Sequence, residues 1–254
     1  ITSTKDCFYE VEKWNKSNFA NPANFYLADV HSTDYSKFEI TGINDFTKSI
    51  LEKRVVDLCA ITSKDVNVFL NGQKLKIKDF SEYISLYLGD KKTFPRSIQE
   101  NDRWSVAISP SEEWFQCVSF VNGIYTSDGG THVDHVIGPI IKKLTEMIQE
   151  KNKGITIKPQ YIKDNIFVFI NCLIVNPEFS SQTKEKNITK IQNFGSKFSA
   201  SEEFIKSIYK SGIIENVIHL ADAKEKKMQS KTDGKKTNRV IISKLDDANK
   251  AGTK

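Results

Sequence analysis

The alternation of apolar and polar positions divides the chain into elements before any chemistry is considered. Between Asp45 and Ala60, the side chains of Phe46, Ile50, Leu51, Val55 and Leu58 recur at helical spacing, with Asn44 placed to cap the start. Two short apolar runs, Val66 to Leu70 and Lys74 to Ile77, flank Asn71-Gly72, the dipeptide that most strongly predicts a two-residue hairpin turn. Asp79 to Leu88 predicts a short helix, and the polar, Pro95-bearing stretch Lys91 to Asn101 a surface loop. Arg103 to Ile108 and Trp114 to Val121 predict a pair of strands about a Ser-Pro-Ser-Glu turn. Cys7 to Val11 and Phe25 to Val30 predict another pair, separated by the Asn-rich stretch Asn15 to Asn24.

The clearest helix carries Val133, Val136, Ile137, Ile140, Ile141, Leu144, Met147 and Ile148 on one face. Thr131 and Asp134 read as a short capping box at its start. Pro139 implies either a kink or a regular part beginning near Gly138, with the proline in the first turn. Ile166 to Val175 is almost continuously apolar, broken at Asn171, and predicts a strand buried on both faces. Helices are predicted from about Ser201 to Lys210 and from Ile213 to Lys226. Lys224 to Arg239 is dense in lysine and poor in large apolar residues, which predicts a mobile linker.

Composition narrows the class. The 254 residues are 39% hydrophobic and 27% charged, the balance of a globular protein with a sizeable core. No apolar run approaches the ~18 residues that a membrane-spanning helix needs, so no membrane partner is expected. Cys7, Cys59, Cys117 and Cys172 are far apart within apolar stretches, without metal or disulfide-framework spacing. They read as buried thiols in a reducing compartment. A net charge of +5 permits contact with nucleic acid without requiring it. The opening Ile-Thr-Ser-Thr-Lys-Asp has no signal pattern and reads as a chain that begins in mid-protein.

Three segments carry candidate chemistry. The first runs from Ser119 to Asp134 and contains Asp128-Gly129-Gly130-Thr131-His132, a strand end leading through a Gly-Gly turn into a helix. Gly129 and Gly130 are expected to supply positive φ, with Thr131 as the cap. His132 and His135 lie three apart, but no third ligand of suitable spacing accompanies them, so no metal site is assigned. The second, Asn176 to Lys184, ends in Gln182-Thr183-Lys184. A loop lysine can reach a neighbouring domain as a compact point charge, drawn most to a terminal phosphate. The plain alternative is a solvated lysine among Lys184, Lys186 and Lys190. The third is Lys244 to Gly252, containing Leu245-Asp246-Asp247-Ala248-Asn249.

Together these segments resemble the type IIA DNA topoisomerases. The Gly-Gly turn and the Gln182-Thr183-Lys184 loop are similar to both bacterial gyrase B and the eukaryotic enzyme. Val68 to Leu75, Lys151 to Gly154 and Lys244 to Asn249 resemble the eukaryotic enzyme specifically. The resemblance runs from about Asp45 to Lys254 and is weaker before it. It implies an α+β chain: residues 1–78 as the end of a GHKL (Bergerat) ATPase sandwich, 79–225 as a transducer domain of ribosomal-protein-like fold with helices on one side of its sheet, and 226–254 as a basic linker to the cleavage core. It implies ATP and Mg2+ as cofactors, with the base, the metal ligand and the adenine ligand upstream of Ile1, so that this chain alone is expected to be inactive.

The same resemblance implies that Lys184 contacts the γ-phosphate with Gln182 as its partner, sensing the phosphate and reporting its loss. It implies that Lys151 and Lys153 face DNA. Gln149-Glu150 stand where further lysines are common in the family, which weakens that contact. A homodimer in the nucleus, coupling hydrolysis to passage of one duplex through another, is the implied setting. The rival readings are a non-catalytic nucleic-acid-binding or dimerisation module of similar fold, and a mismatch-repair or chaperone ATPase. The Gln182-Thr183-Lys184 loop opposes the first, and the Asp128 to His132 and Leu245 to Asn249 segments the second.

Overall fold

The computed structural model describes residues 39, 41–89, 94–111, 114–152 and 157–221. The expected strands at Cys7–Val11 and Phe25–Val30, the linker Lys224–Arg239, Lys153 and the Leu245–Asn249 motif lie outside the described residues.

A five-stranded mixed sheet organises the rest. Its strands are β3 (Ser97–Glu100), β4 (Trp104–Pro110), β5 (Gln116–Val121), β6 (Ile124–Tyr125) and β7 (Ile166–Cys172), in the order β3-β4-β7-β5-β6. The near-continuous apolar run therefore occupies the centre, antiparallel to β4 and parallel to β5. Alternate residues serve opposite faces, as the pleat requires. Val168, Ile170 and Cys172 enter one core, and Phe169 enters the other. Asn171, the break in the run, donates from Nδ2 to the Ala60 carbonyl at 3.3 Å, pairing a helix-end acceptor that would otherwise be orphaned.

One face of the sheet packs on α3 (Thr131–Lys151), the short α4 (Pro159–Asp164), α5 (Glu202–Tyr209) and a further helix at 213–221. The other face packs on α2 (Phe80–Leu88) and the end of α1 (Asp45–Ile61). Helices thus cover both faces, as the doubly buried central strand requires, where the resemblance implied helices on one side only. The sheet's second face is itself apolar at Ala107, Val118, Phe120 and Phe169, so it must be buried against something.

The expected cap of α1 holds, with the Asn44 side chain accepting from Thr47 N at 2.8 Å. Its expected apolar stripe does not face the core: Phe46 is 74% exposed, and Ile50 and Leu51 are exposed with it. The buried face instead carries Asp57, Cys59 and Ala60. Asp57 is 2% exposed and accepts from Lys53 Nζ and from the Tyr83 hydroxyl at 2.7 Å, tying α1 to α2. A buried carboxylate needs such partners, and the hydrophobic pattern gives no sign of it.

Asn71 and Gly72 make the expected hairpin turn with φ of 51° and 77°, between short strands β1 (Phe69–Leu70) and β2 (Gln73–Lys74). Ser97–Glu100 is a strand rather than loop. It is polar because it is an edge, pairing only with β4. α3 runs through Pro139 unbroken. Gly138 before it has no Cβ to meet the proline ring, which removes the usual objection to a helical residue at that place. Cys59 and Cys172 are buried thiols as expected, and Cys117 is partly covered.

Candidate nucleotide-sensing loop

The loop that ends in Lys184 leaves β7 and returns at residue 190 along the start of α3. Ser180 N donates to Lys186 O at 3.0 Å and closes a tight turn, with Lys184 N donating to Ser181 O inside it. Gln182 and Lys184 stand exposed at its tip. Lys184 has φ of 60°, a left-handed conformation that a lysine adopts only when its surroundings impose it.

Those surroundings are the Gly-Gly turn. Asp128 N donates to Glu185 O, Asn187 N to Gly129 O and Thr131 N to Asn187 O, each at 3.0 Å. Two motifs more than fifty residues apart thus form one short stretch of paired backbone, with a bridge between Gly130 and Asn187. Gly129 and Gly130 have the expected positive φ, 63° and 130°. Gly130 also has a second reason to be glycine. A Cβ there would sit 2.0 Å from the Asn187 carbonyl oxygen.

The expected capping box at Thr131 and Asp134 is not formed. Gly130 is the N-cap residue, without a side-chain cap bond, and Thr131 Oγ1 donates instead to Thr189 O at 2.7 Å. The first turn of α3 is satisfied by the returning loop: Asn187 O accepts from a helix N–H that would otherwise be orphaned. Sequence spacing suggests a local cap because it cannot show a partner so far along the chain.

Asn187 is fully buried. Its Oδ1 accepts from Thr189 Oγ1 at 2.6 Å, which turns Nδ2 toward Thr131 Oγ1 and His132 Nδ1 at 3.3 and 3.4 Å. His132 is also fully buried, and its Nε2 lies 3.3 Å from Thr126 Oγ1, which in turn pairs with Ser119. With Nδ1 facing a donor, the ring carries its single proton on Nε2. Burial pushes its pKa down to about 4. His135 takes a different course: Nε2 accepts from Phe198 N at 3.1 Å, and the ring packs on Trp104 and Phe194. The two histidines therefore serve separate structural partners. No cluster of three or more His, Cys, Asp or Glu among the described residues could hold a metal ion.

The depressed His132 pKa gives a stability prediction with a definite sign. Between about pH 6.5 and 4 the unfolded chain binds a proton that the folded chain refuses. The His132 contribution is therefore complete above pH 6.5 and is lost as pH falls toward 4, by roughly 3 kcal/mol in all. Urea midpoints of the wild type should fall faster over this range than those of His132→Gln. Parallel curves would show that burial of this ring carries no linkage.

Lys151 ends α3 at the far side of the domain. A helix of 21 residues is about 30 Å long, so Lys151 and the Lys184 loop are held at opposite ends of one rod. The Lys151 ammonium rests 4.3 Å from the centre of the Tyr209 ring, an exposed cation–π contact.

The DNA gyrase B family model matches residues 42–237, more than half of the chain. The chain belongs to this family. Within the family it falls with the eukaryotic enzymes, as part of their ATPase region. It is 41% identical over 251 residues to DNA topoisomerase 2 of Arabidopsis thaliana, covering 96% of this chain and 17% of the relative. It is 40% identical to DNA topoisomerase 2 of Drosophila melanogaster, covering all of this chain and 19% of that protein. The gyrase B family chain thus spans less than a fifth of the length of these relatives. Among solved structures, the ATPase region of Saccharomyces cerevisiae topoisomerase II superposes with a TM-score of 0.67 at 38% identity, covering 74% of this chain and 48% of that one. The ATPase domain of Thermus thermophilus gyrase B shares the fold alone, at 12% identity and a TM-score of 0.52. The α+β class expected from the sequence is the one these neighbours share.

The sequence pattern marks the two ends of the loop assembly and hides its middle. Asn187, Thr189 and Thr126 lie in polar stretches that look like solvated turns, and Ser119 is a lone polar residue inside an apolar strand. The only available signal is the pair of adjacent glycines, which a close backbone approach explains as well as a turn does.

Proposed function

We propose that the chain is the coupling part of an ATP-dependent type II DNA topoisomerase, with Lys184 as the group that contacts the terminal phosphate of ATP and Gln182 as its partner. The observation that carries the reading is an exposed lysine held at positive φ on a loop anchored by at least five backbone and side-chain bonds. A flexible, solvated lysine has no need of such a mount. The donor set suits a phosphate: an ammonium, a side-chain amide and the Ser181 and Thr183 hydroxyls 2.7 Å apart. Bound ATP would supply concentrated negative charge at its terminal phosphate, where loss of that charge releases the lysine. Mg2+ would enter with the nucleotide phosphates, and among the described residues no group of three or more His, Cys, Asp or Glu stands ready for a metal ion.

In this reading the Lys184 loop and α3 move as one body, because the loop caps the helix. Residues 1–78 belong to the nucleotide half, 79–225 form the transducer, and 226–254 lead on to the cleavage core. The protein acts as a homodimer in the nucleus, passing one duplex through a break in another. ATP turnover of the full-length protein with Lys184 replaced tests the reading. Unchanged turnover would overturn it in favour of a non-catalytic nucleic-acid-binding or dimerisation module.

DNA binding is a second part of the proposal. Lys151, at the opposite end of α3, and Lys153, two positions further along the sequence, would face the duplex. Replacing both by Ala should lower DNA-stimulated turnover and leave basal turnover near normal, given the ~30 Å of helix between Lys151 and the end of α3 that the Lys184 loop caps. The salt slope of DNA binding should flatten by about one for each phosphate no longer neutralised. Glu150→Lys should steepen it. Equal slopes in all these variants would make the helix end a solvated terminus, its Lys151 resting on Tyr209.

A further inference from the structure

We propose that Asn187 is the positioning residue of the Lys184 loop, setting where the lysine can reach without touching the nucleotide itself. The inference rests on the reading of Lys184 as the phosphate ligand. Asn187 lies three residues beyond Lys184 and joins three separate parts of the chain. Its backbone carbonyl accepts from Thr131 N at the start of α3, and its N–H donates to Gly129 O. Its Oδ1 accepts from Thr189 N and Oγ1, which locks the return of the loop, and its Nδ2 faces Thr131 Oγ1 and His132 Nδ1.

Each of these partners is itself fixed. His132 is buried and reaches β5 through Thr126 Oγ1, just beyond β6, and its partner Ser119. Thr131 is the first residue of α3. Thr189 Oγ1 also receives Glu178 N at 2.8 Å, on the outgoing limb of the loop. The outgoing limb, the returning limb, the helix and the sheet therefore meet at one amide. Residues 180–186 are exposed, and Thr189, the other buried polar residue of the returning limb, reaches the His132 ring only through Asn187. A point charge that must meet a phosphate is useful only within a few tenths of an ångström of its place. Misplacement by about 1 Å from a site remote from the chemistry can cost 10²-fold in rate.

The experiment is steady-state ATP turnover of the full-length protein, with Asn187→Ala, Thr131→Val and each combined with Lys184→Ala. Asn187→Ala should lower kcat by about 10- to 100-fold with little change in KM. In the Lys184→Ala background it should change kcat by less than about twofold, because a misplaced lysine and a missing one are equivalent. Thr131→Val keeps volume and removes the hydroxyl that donates to Thr189 O and accepts from Asn187 Nδ2. It should show the same pattern with a smaller loss, and it serves if Asn187→Ala fails to fold. Wild-type kcat in both folded variants would overturn the inference while leaving Lys184 in its role. An equal further loss in the Lys184→Ala background would also overturn it, because a merely structural residue behaves that way. If Lys184→Ala itself turns over ATP normally, both the inference and the reading beneath it fall.

Discussion

Lys184→Ala is expected to lower ATP turnover of the full-length protein by about 10²-fold or more while leaving the fold unchanged. The size follows from what is removed: one preorganised positive charge at a phosphoryl group whose negative charge spreads over its oxygens as it transfers. The preorganisation is visible in the backbone. A lysine at φ of 60° has already met the strain of its placement on folding, so none remains to be met when substrate arrives. The fold should be indifferent, because the Lys184 side chain is exposed and its backbone bond to Ser181 O survives the substitution. Thermal midpoints should therefore coincide within a degree or two while kcat separates. Lys184→Arg should recover only part of the loss. Its planar fork spreads the charge over a larger group than the compact ammonium it replaces. Turnover within twofold of wild type in Lys184→Ala would reduce the residue to a solvated loop lysine, whatever its backbone angle.

How much of this arrangement the sequence discloses depends on the range of the interactions. Elements set by local periodicity come through: the stripe from Val133 to Ile148, the Asn71-Gly72 turn, and the buried run at Ile166. Elements set by a distant partner do not. Ser97–Glu100 looks like loop because its pairing with β4 is on one side only and Ile98 is its single apolar side chain. The apolar stripe on α1 points to the wrong face because Asp57, the residue that marks the buried side, is charged. Its burial makes sense only once Tyr83 stands opposite. The same holds at the loop. Lys184 and Gln182 stand out by their chemistry and by resemblance, but the network beneath them depends on bonds between residues some fifty-five positions apart. Thr131 is the clearest case: its type and position suit a local cap, and it bonds a distant carbonyl instead. Propensity at a helix start is a weak prior where another segment lies within reach.

The second large effect is on stability, and it falls on Gly130. Gly130→Ala places a Cβ 2.0 Å from the Asn187 carbonyl oxygen and 2.8 Å from its carbonyl carbon and amide nitrogen. All three neighbours are backbone, so no side chain can rotate aside. The alternatives are to push the loop off the helix, which breaks the Thr131 N to Asn187 O and Asn187 N to Gly129 O bonds, or to bend the glycine away from φ of 130°. Overpacking, backbone strain and two broken hydrogen bonds together come to about 4 kcal/mol or more. That is a large part of the stability of an ordinary domain. Gly72→Ala separates the two causes. Gly72 also has positive φ, 77°, but nothing lies within 4 Å of its added Cβ. It should cost only the left-handed penalty, about 1–2 kcal/mol. Urea midpoints of the two variants are the measurement, with Gly130→Ala the less stable by at least about 2 kcal/mol on these figures. Equal losses would mean that the loop yields to the methyl group at little cost. A loop so compliant could not hold Lys184 in a strained conformation, and the anchoring described for it would have no energetic content.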